Sequence, residues 1–161
     1  MSEQGWIAAF VDGKRLRVWH LQSGDVRAEA EAEIAPLAAS AAQIVRVVSQ
    51  AFGTDDLMDL PIVIAGATDA AMHTVPCTPP LPGQAIGSPQ VHLIPNVHQS
   101  TPPDIILGAS AEIAGFVDAN PGWDGVLCLP GAQTAWAHLS AGEIVSFQSF
   151  VTTELILGMA E

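Results

Sequence analysis

Residues 5–11, GWIAAFV, form an apolar run that ends in Asp-Gly-Lys, and residues 15–21, RLRVWHL, then alternate charged with apolar positions. An alternating run after Asp-Gly predicts two antiparallel strands joined by a tight turn. A second turn, Ser-Gly-Asp at 23–25, leads into VRAEAEAEI (26–34), where Glu29, Glu31 and Glu33 share one face. The opening is thus a three-stranded meander. Pro36 fits the first turn of a helix running to about Phe52, with Leu37, Ile44, Val45, Val48 and Phe52 spaced as one apolar stripe. LPIVIAGA (60–67) is short, β-branched and almost wholly apolar, which predicts a strand buried on both faces.

Residues 68–103 hold most of the twelve prolines, and only VHLIP (91–95) alternates as a clear strand. Val75, Cys77, Leu81, Ile86 and Ile94 are too apolar for a solvated linker, so the stretch is expected to be an ordered excursion from the main layer. Beyond it come a strand at 104–108 and a helix from Ser110 as N-cap to Asp118. A buried strand, GVLCL (125–129), follows, expected beside 60–66 and the meander in one sheet. TAWAHL (134–139) and EIVSFQSF (143–150) make a hairpin turned by Ser-Ala-Gly, and Thr152 can cap a last helix, TELILGMA. Three strands, a helix and a buried strand open a ribonuclease H-like α/β layer, and residues 1–161 are expected to form a single domain of that kind.

Composition sharpens this picture. A chain of 161 residues with 49% apolar and 14% charged positions can bury one core, roughly 70% of its unfolded surface. No apolar run reaches the ~18 residues of a membrane helix and no secretory leader is recognisable, so a cytoplasmic location is expected. The net charge is −12, and all five basic residues, Lys14, Arg15, Arg17, Arg27 and Arg46, lie in the first 46 positions. Nucleic acid and anionic membranes are therefore poor partners. Cys77 and Cys128 stand apart, without C-x-x-C spacing, and read as small buried apolar groups. The five histidines show no metal-ligand spacing, and no nucleophile elbow or phosphate-cradling glycine loop is present, so no metal residues are assigned.

GWIAAFVDGKRLRVWHL, VPC, PPDIILG, LPGAQTAW and EIVSFQSFVTTEL occur in an order that resembles the amino-terminal half of bacterial 2-dehydro-3-deoxygalactonokinases. That family is similar to the sugar kinase, heat-shock protein and actin superfamily, whose members hold ATP and sugar between two ribonuclease H-like lobes. The resemblance spans residues 6–157 and about half of a family member. It implies an actin-like ATPase lobe, a mixed sheet with flanking helices, ATP and Mg²⁺ as cofactors, and a small sugar acid as substrate.

The motif residues match only in part. The family's first hairpin carries Asp-Trp-Gly-Thr-Thr-Asn, then Leu-Arg-Ala-Trp. Here Phe10 stands at the Asp and Asp12 at the Gly, while Leu16, Arg17 and Trp19 match. After a two-residue shift, Asp12 and Gly13 could restore a carboxylate and a flexible turn. The family's Arg-Gly-Glu-Glu reads Leu107, Gly108, Ala109, Ser110, and only Asp104 before it is kept. Pro-Gly-Thr-His-Ser-Lys-Trp keeps Pro130, Gly131 and Trp136 but has Ala132, Gln133, Thr134 and Ala135 between them. Thr-Gly-Glu-Leu reads Thr152, Thr153, Glu154, Leu155. Asp12, Gly13, Arg17, Gly131, Gln133, Thr134, Thr152 and Glu154 are therefore the candidate cleft residues. Gln133 cannot shuttle a proton and Ala135 cannot offset charge in phosphoryl transfer, so a divergent, weak or inactive kinase is expected. A non-catalytic metabolite-binding or protein-interaction domain stays open beside it. The apolar last helix suggests a homodimer or a missing second lobe.

Overall fold

In a computed structural model of the chain, residues 5–35, 39–52, 59–80, 86–87 and 90–159 are described. The opening meander is present as β1 (Trp6–Asp12), β2 (Arg15–Gln22) and β3 (Asp25–Glu33). Helix α1 (Ala41–Phe52) leads to β4 (Ile62–Ala65), which runs parallel to β1, with Ala9 opposite Ile64 and Phe10 opposite Ala65. Two strands of the proline-rich stretch, β6 (Ile86–Gly87) and β7 (Val91–Leu93), extend the same sheet, which runs β3-β2-β1-β4-β7-β6 among the described residues.

Alternation gives this sheet two faces. Ile7, Ala9 and Val11 of β1, and Leu16 and Val18 of β2, are buried under α1, whose Ile44 and Val48 are fully enclosed. Each of the larger ones, Ile7, Val11, Leu16, Val18, Ile44 and Val48, stabilises the fold by about 1.5–3 kcal/mol. The opposite face of β1 and β2 carries Phe10, Asp12, Arg15 and Arg17, with Arg15 opposite Glu33 and Arg17 opposite Glu31. The expected helix start at Pro36 lies outside the described residues, but residues 39–40 are not helical. The helix begins at Ala41 because the Asp69 carboxylate accepts the Ala41 N–H at 2.9 Å, a partner 28 residues away that no local pattern reveals.

The rest of the proline-rich stretch forms β5 (Met72–Thr74) and β8 (Asn96–Ser100), which pair in parallel, and β8 pairs with β9 (Pro103–Ile106). Helix α2 (Ala109–Ala119) follows, then β10 (Gly125–Leu129), β11 (Thr134–Ser140), β12 (Glu143–Phe150) and α3 (Thr152–Met159). Strand 125–129 does not join the meander sheet. It forms a separate sheet, β10-β11-β12, and only alternate residues are sheltered: Val126 is 57% exposed and Cys128 is exposed, while Cys77 is half-buried. An all-apolar run looks the same whether one or both faces are covered, so its sequence could not reveal the open face.

Two helix starts also differ from expectation. Gly108, at φ 79°, is the N-cap of α2, and Ser110 lies inside the helix, where its hydroxyl donates to the Pro95 carbonyl at 2.7 Å. Thr152 is the first residue of α3, and the Val151 carbonyl accepts the Leu155 N–H ahead of it. A second apolar cluster, with Val97, Ile113, Leu139, Ile144 and Phe147 buried, lies between α2 and the last sheet. No helix among the described residues is long and apolar enough to cross a membrane.

Strands β8 and β9 reach the last sheet through one buried amide and a carboxylate. Gln99 accepts the Phe147 N–H at 3.0 Å and donates to the Pro102 carbonyl. Asp104, the matching position of the PPD motif, accepts the Ser149 N–H at 2.7 Å and the Ser149 hydroxyl at 2.6 Å. It is a joint between β9 and β12. Asp104→Ala is expected to cost about 1–3 kcal/mol in urea denaturation, because it leaves the Ser149 N–H unpaired and partly sheltered. An unchanged midpoint and slope would show that water replaces the carboxylate without loss.

Candidate functional site

Parallel β1 and β4 end side by side, and α2 begins beside them, so three chain segments meet at one end of the sheet. Little room is left for side chains there. A Cβ on Gly66 (φ 88°) would lie 2.8 Å from the Val11 carbonyl oxygen, and one on Gly108 would lie 3.3 Å from the Gly66 Cα. Both glycines have the left-handed backbone that other residues adopt only with strain. The close approach makes the floor of a cleft of about 600 Å³. Its walls are the ends of β1 and β4, the Asp12–Gly13 turn, the first turn of α2 and the Pro130–Gln133 turn.

The two turns interlock across 120 positions. Asp12 accepts the Ala132 N–H on Oδ1 at 2.7 Å, and its Oδ2 is 3.5 Å from Arg15 Nη2. A Cβ on Gly131 would sit 2.9 Å from Asp12 Oδ1, and one on Gly13 would sit 2.5 Å from the Ala132 Cβ. Glycine at 13 and 131 thus lets the turns touch. The aspartate is engaged on both oxygens within the protein.

Arg15 and Arg17 reach the same cleft from β2, because residues 15 and 17 face away from the α1 core. Opposite them stands Glu112, in the first turn of α2. Partial burial pushes the Glu112 carboxyl above its ordinary range, the charge of Asp12 pushes it further, and Arg17 pulls it back. Folding therefore favours the protonated form. That contribution is fully present below the ordinary glutamate range and is lost as pH rises through the raised value. Glu112→Gln should accordingly melt at a higher temperature than the parent at pH 7, the difference vanishing at acidic pH. A thermal-melt series across pH checks this, and an equal difference at every pH would show that the carboxyl is not strained by its surroundings.

Of the candidates read from the sequence, Asp12, Gly13, Arg17, Gly131 and Gln133 line this cleft. Thr134 does not: it begins β11 opposite Phe150, on the face away from buried Ala135. Thr152 is exposed outside the cleft, and its neighbour Thr153 lines it instead. The Glu154 side chain lies outside the described residues. Glu112, Arg15 and Thr68 were not anticipated as cleft residues. An acidic residue in a helix's first turn was the only signal for Glu112, and it is equally the mark of an ordinary helix start.

Among the described residues no group of three or more His, Cys, Asp or Glu could hold a metal ion. Within the cleft, Glu112 is the carboxylate left uncommitted once Asp12 has bonded Ala132. A Mg²⁺ carried in with substrate phosphates takes only one or two protein carboxylates, and Glu112 and Asp12 are the cleft residues that would hold it.

A profile of the 2-keto-3-deoxy-galactonokinase family matches residues 13–160. Among solved structures, the fold is similar to that of a protein from Sinorhizobium meliloti described as a 2-dehydro-3-deoxygalactonokinase, with a TM-score of 0.78 and 22% identity. The match covers 97% of this chain and 56% of that one, so the chain spans about half the length of the solved relative. No curated protein sequence matches it significantly.

Proposed function

The chain belongs to the 2-keto-3-deoxy-galactonokinase family, and from that membership we propose a cytoplasmic, divergent sugar-kinase lobe whose cleft accepts a small sugar acid. We read residues 1–161 as one ribonuclease H-like, actin-like domain with an excursion at about 68–103. The β3-β2-β1-β4 order, with an antiparallel meander and a parallel β4, supports that reading. The observation that carries the function is the meeting of Arg17 and Gln133 in one cleft from opposite ends of the chain. A 2-keto-3-deoxy acid presents a carboxylate and several hydroxyls. Arg17 offers a fork for the first, and Gln133 offers a donor and an acceptor for the second.

When bound, ATP with Mg²⁺ would supply the phosphoryl group, but no catalytic step is assigned to this chain's residues. Gln133 cannot take a proton, and Asp12 holds the Ala132 N–H. The reading is therefore of binding retained and transfer weak or absent. Titration calorimetry with 2-keto-3-deoxygalactonate tests it. Arg17→Ala should weaken binding at least tenfold, since a hydrogen bond to a charged group is worth about 1.5–3 kcal/mol. Equal affinity in the variant would remove Arg17 from the site, and no binding by the parent would remove the ligand.

One observation favours a second reading, an interaction domain. Helix α3 leaves Leu155 59% and Met159 79% exposed, beside exposed Val151 and Ile156. Apolar groups gathered on one short helix invite cover, by a second copy or by a kinase's other lobe. Light scattering decides between a dimer and a monomer. A monomer at high concentration would leave the homodimer without support.

A further inference from the structure

Asn96 is fully buried, and its amide bridges by hydrogen bonds two segments that otherwise meet through the close approach of Gly66 and Gly108. Its Nδ2 donates to the Ala67 carbonyl at 2.8 Å, and its Oδ1 accepts the Gly108 N–H at 3.1 Å. Ala67 lies between Gly66 and Thr68, which both line the cleft, and Gly108 lies between Leu107 and Ala109, which line its facing wall. Glu112 projects from that second wall one turn later. The Asn96 backbone is itself fixed, since its N–H donates to the Ala71 carbonyl at 2.8 Å.

From this geometry we infer that Asn96 is a positioning residue: a side-chain clamp that sets the spacing of the 66–68 and 107–112 walls of the cleft without touching what binds there. The functional part of this inference rests on the cleft reading proposed above, while the clamp itself does not. A buried amide is suited to the task. Its donor and acceptor ends diverge from one planar group, the acceptor meets the buried Gly108 N–H, the donor meets the Ala67 carbonyl beside the Ala70 N–H, and its short side chain has few rotamers to lose. Apolar packing at the same place would fill the volume but leave the buried Gly108 N–H without its partner and the Ala67 carbonyl with only the Ala70 N–H, at 3.2 Å, so nothing polar would join the two walls.

Ser110 provides an internal comparison. It is equally buried and its hydroxyl bonds the neighbouring Pro95 carbonyl, yet it bridges neither wall to the other through a glycine turn. The experiment compares Asn96→Asp, Asn96→Ala and Ser110→Ala by amide hydrogen exchange and by calorimetry with 2-keto-3-deoxygalactonate. In Asn96→Asp the introduced carboxyl, when protonated, can still donate to the Ala67 carbonyl, and when ionised it repels that oxygen. The Thr68 amide, which bonds Ala39, should therefore exchange near the parent rate at pH 5 and at least tenfold faster at pH 8, after correction for intrinsic rates. Gly108 should stay protected there and lose protection in Asn96→Ala. Ser110→Ala should lose stability without this local pattern and should keep the parent's affinity, whereas Asn96→Asp loses at least tenfold in affinity at pH 8. Parent-like exchange at Thr68 and Gly108 in both Asn96 variants would overturn the clamp, as would the same pattern in Ser110→Ala. Should Asn96→Ala fail to fold, Asn96→Asp decides alone through its pH dependence. If the parent binds no sugar acid, the cleft reading fails, and the exchange data still decide the clamp.

Discussion

Incubated with magnesium–ATP and 2-keto-3-deoxygalactonate, the 161-residue chain is expected to release ADP no faster than a protein-free control. Phosphoryl transfer depends on charge stabilisation at the moving group, and one well-placed arginine can be worth ~10³ to 10⁵ in rate. The cleft does hold two arginines, but neither is placed for that work. Arg15 lies 3.5 Å from Asp12 and is half exposed. Arg17 acts on Glu112 and, in the reading above, is engaged by the substrate carboxylate rather than by the moving phosphoryl group. On the opposite wall, Gln133 and Ala135 provide no titratable group. A coupled assay of ADP release measures this. Robust turnover that falls in Arg17→Ala would show that the cleft is a rearranged active site rather than one that has lost its chemistry.

The second large effect belongs to the cleft floor. Gly66→Ala is expected to cost about 2–4 kcal/mol, the larger part from a left-handed backbone that costs non-glycine residues of order 1–3 kcal/mol. The remainder comes from the new methyl, which would stand 2.8 Å from the Val11 carbonyl oxygen and 3.1 Å from the Val11 Cβ. Backbone carbonyls within a paired strand cannot swing aside, so β1 and β4 must shift apart at their ends. Urea unfolding monitored by tryptophan fluorescence gives the size of the loss. Gly24→Ala serves as the comparison, because Gly24 also has a positive φ (87°) but nothing within 4 Å of its Cβ position. Equal losses at the two sites would mean that backbone conformation alone accounts for Gly66, and that the crowding under the cleft is relieved at no cost.

Several strands were legible because their periods are local. Asp12-Gly13 announces the first hairpin, the alternation of 15–21 fixes which residues face α1, and the same alternation places Arg17 on the opposite face. The β11-β12 hairpin follows from the same signal. Helix starts were less legible. Asp69 reaches Ala41 from 28 residues away, and Gly108 displaces Ser110 as the cap because Ser110 has a better partner in the Pro95 carbonyl.

The sequence by itself determined the meander and the family, and through the family resemblance it offered eight candidates, of which Asp12, Gly13, Arg17, Gly131 and Gln133 line the cleft. The meander is a property of residue type at a short spacing, which chain-local sterics and side-chain chemistry read directly, whereas the cleft candidates rest on the resemblance. Only the tertiary structure decided that GVLCL sits in a second sheet, that Glu112 faces Arg17, that Asp12 is spent on the Ala132 N–H, and that Asn96 ties the two walls together. The last three depend on pairs of groups 12 to 120 residues apart. Hydrogen bonds and charges of that kind are satisfied by whichever partner the packed core brings near, and no local period encodes the choice.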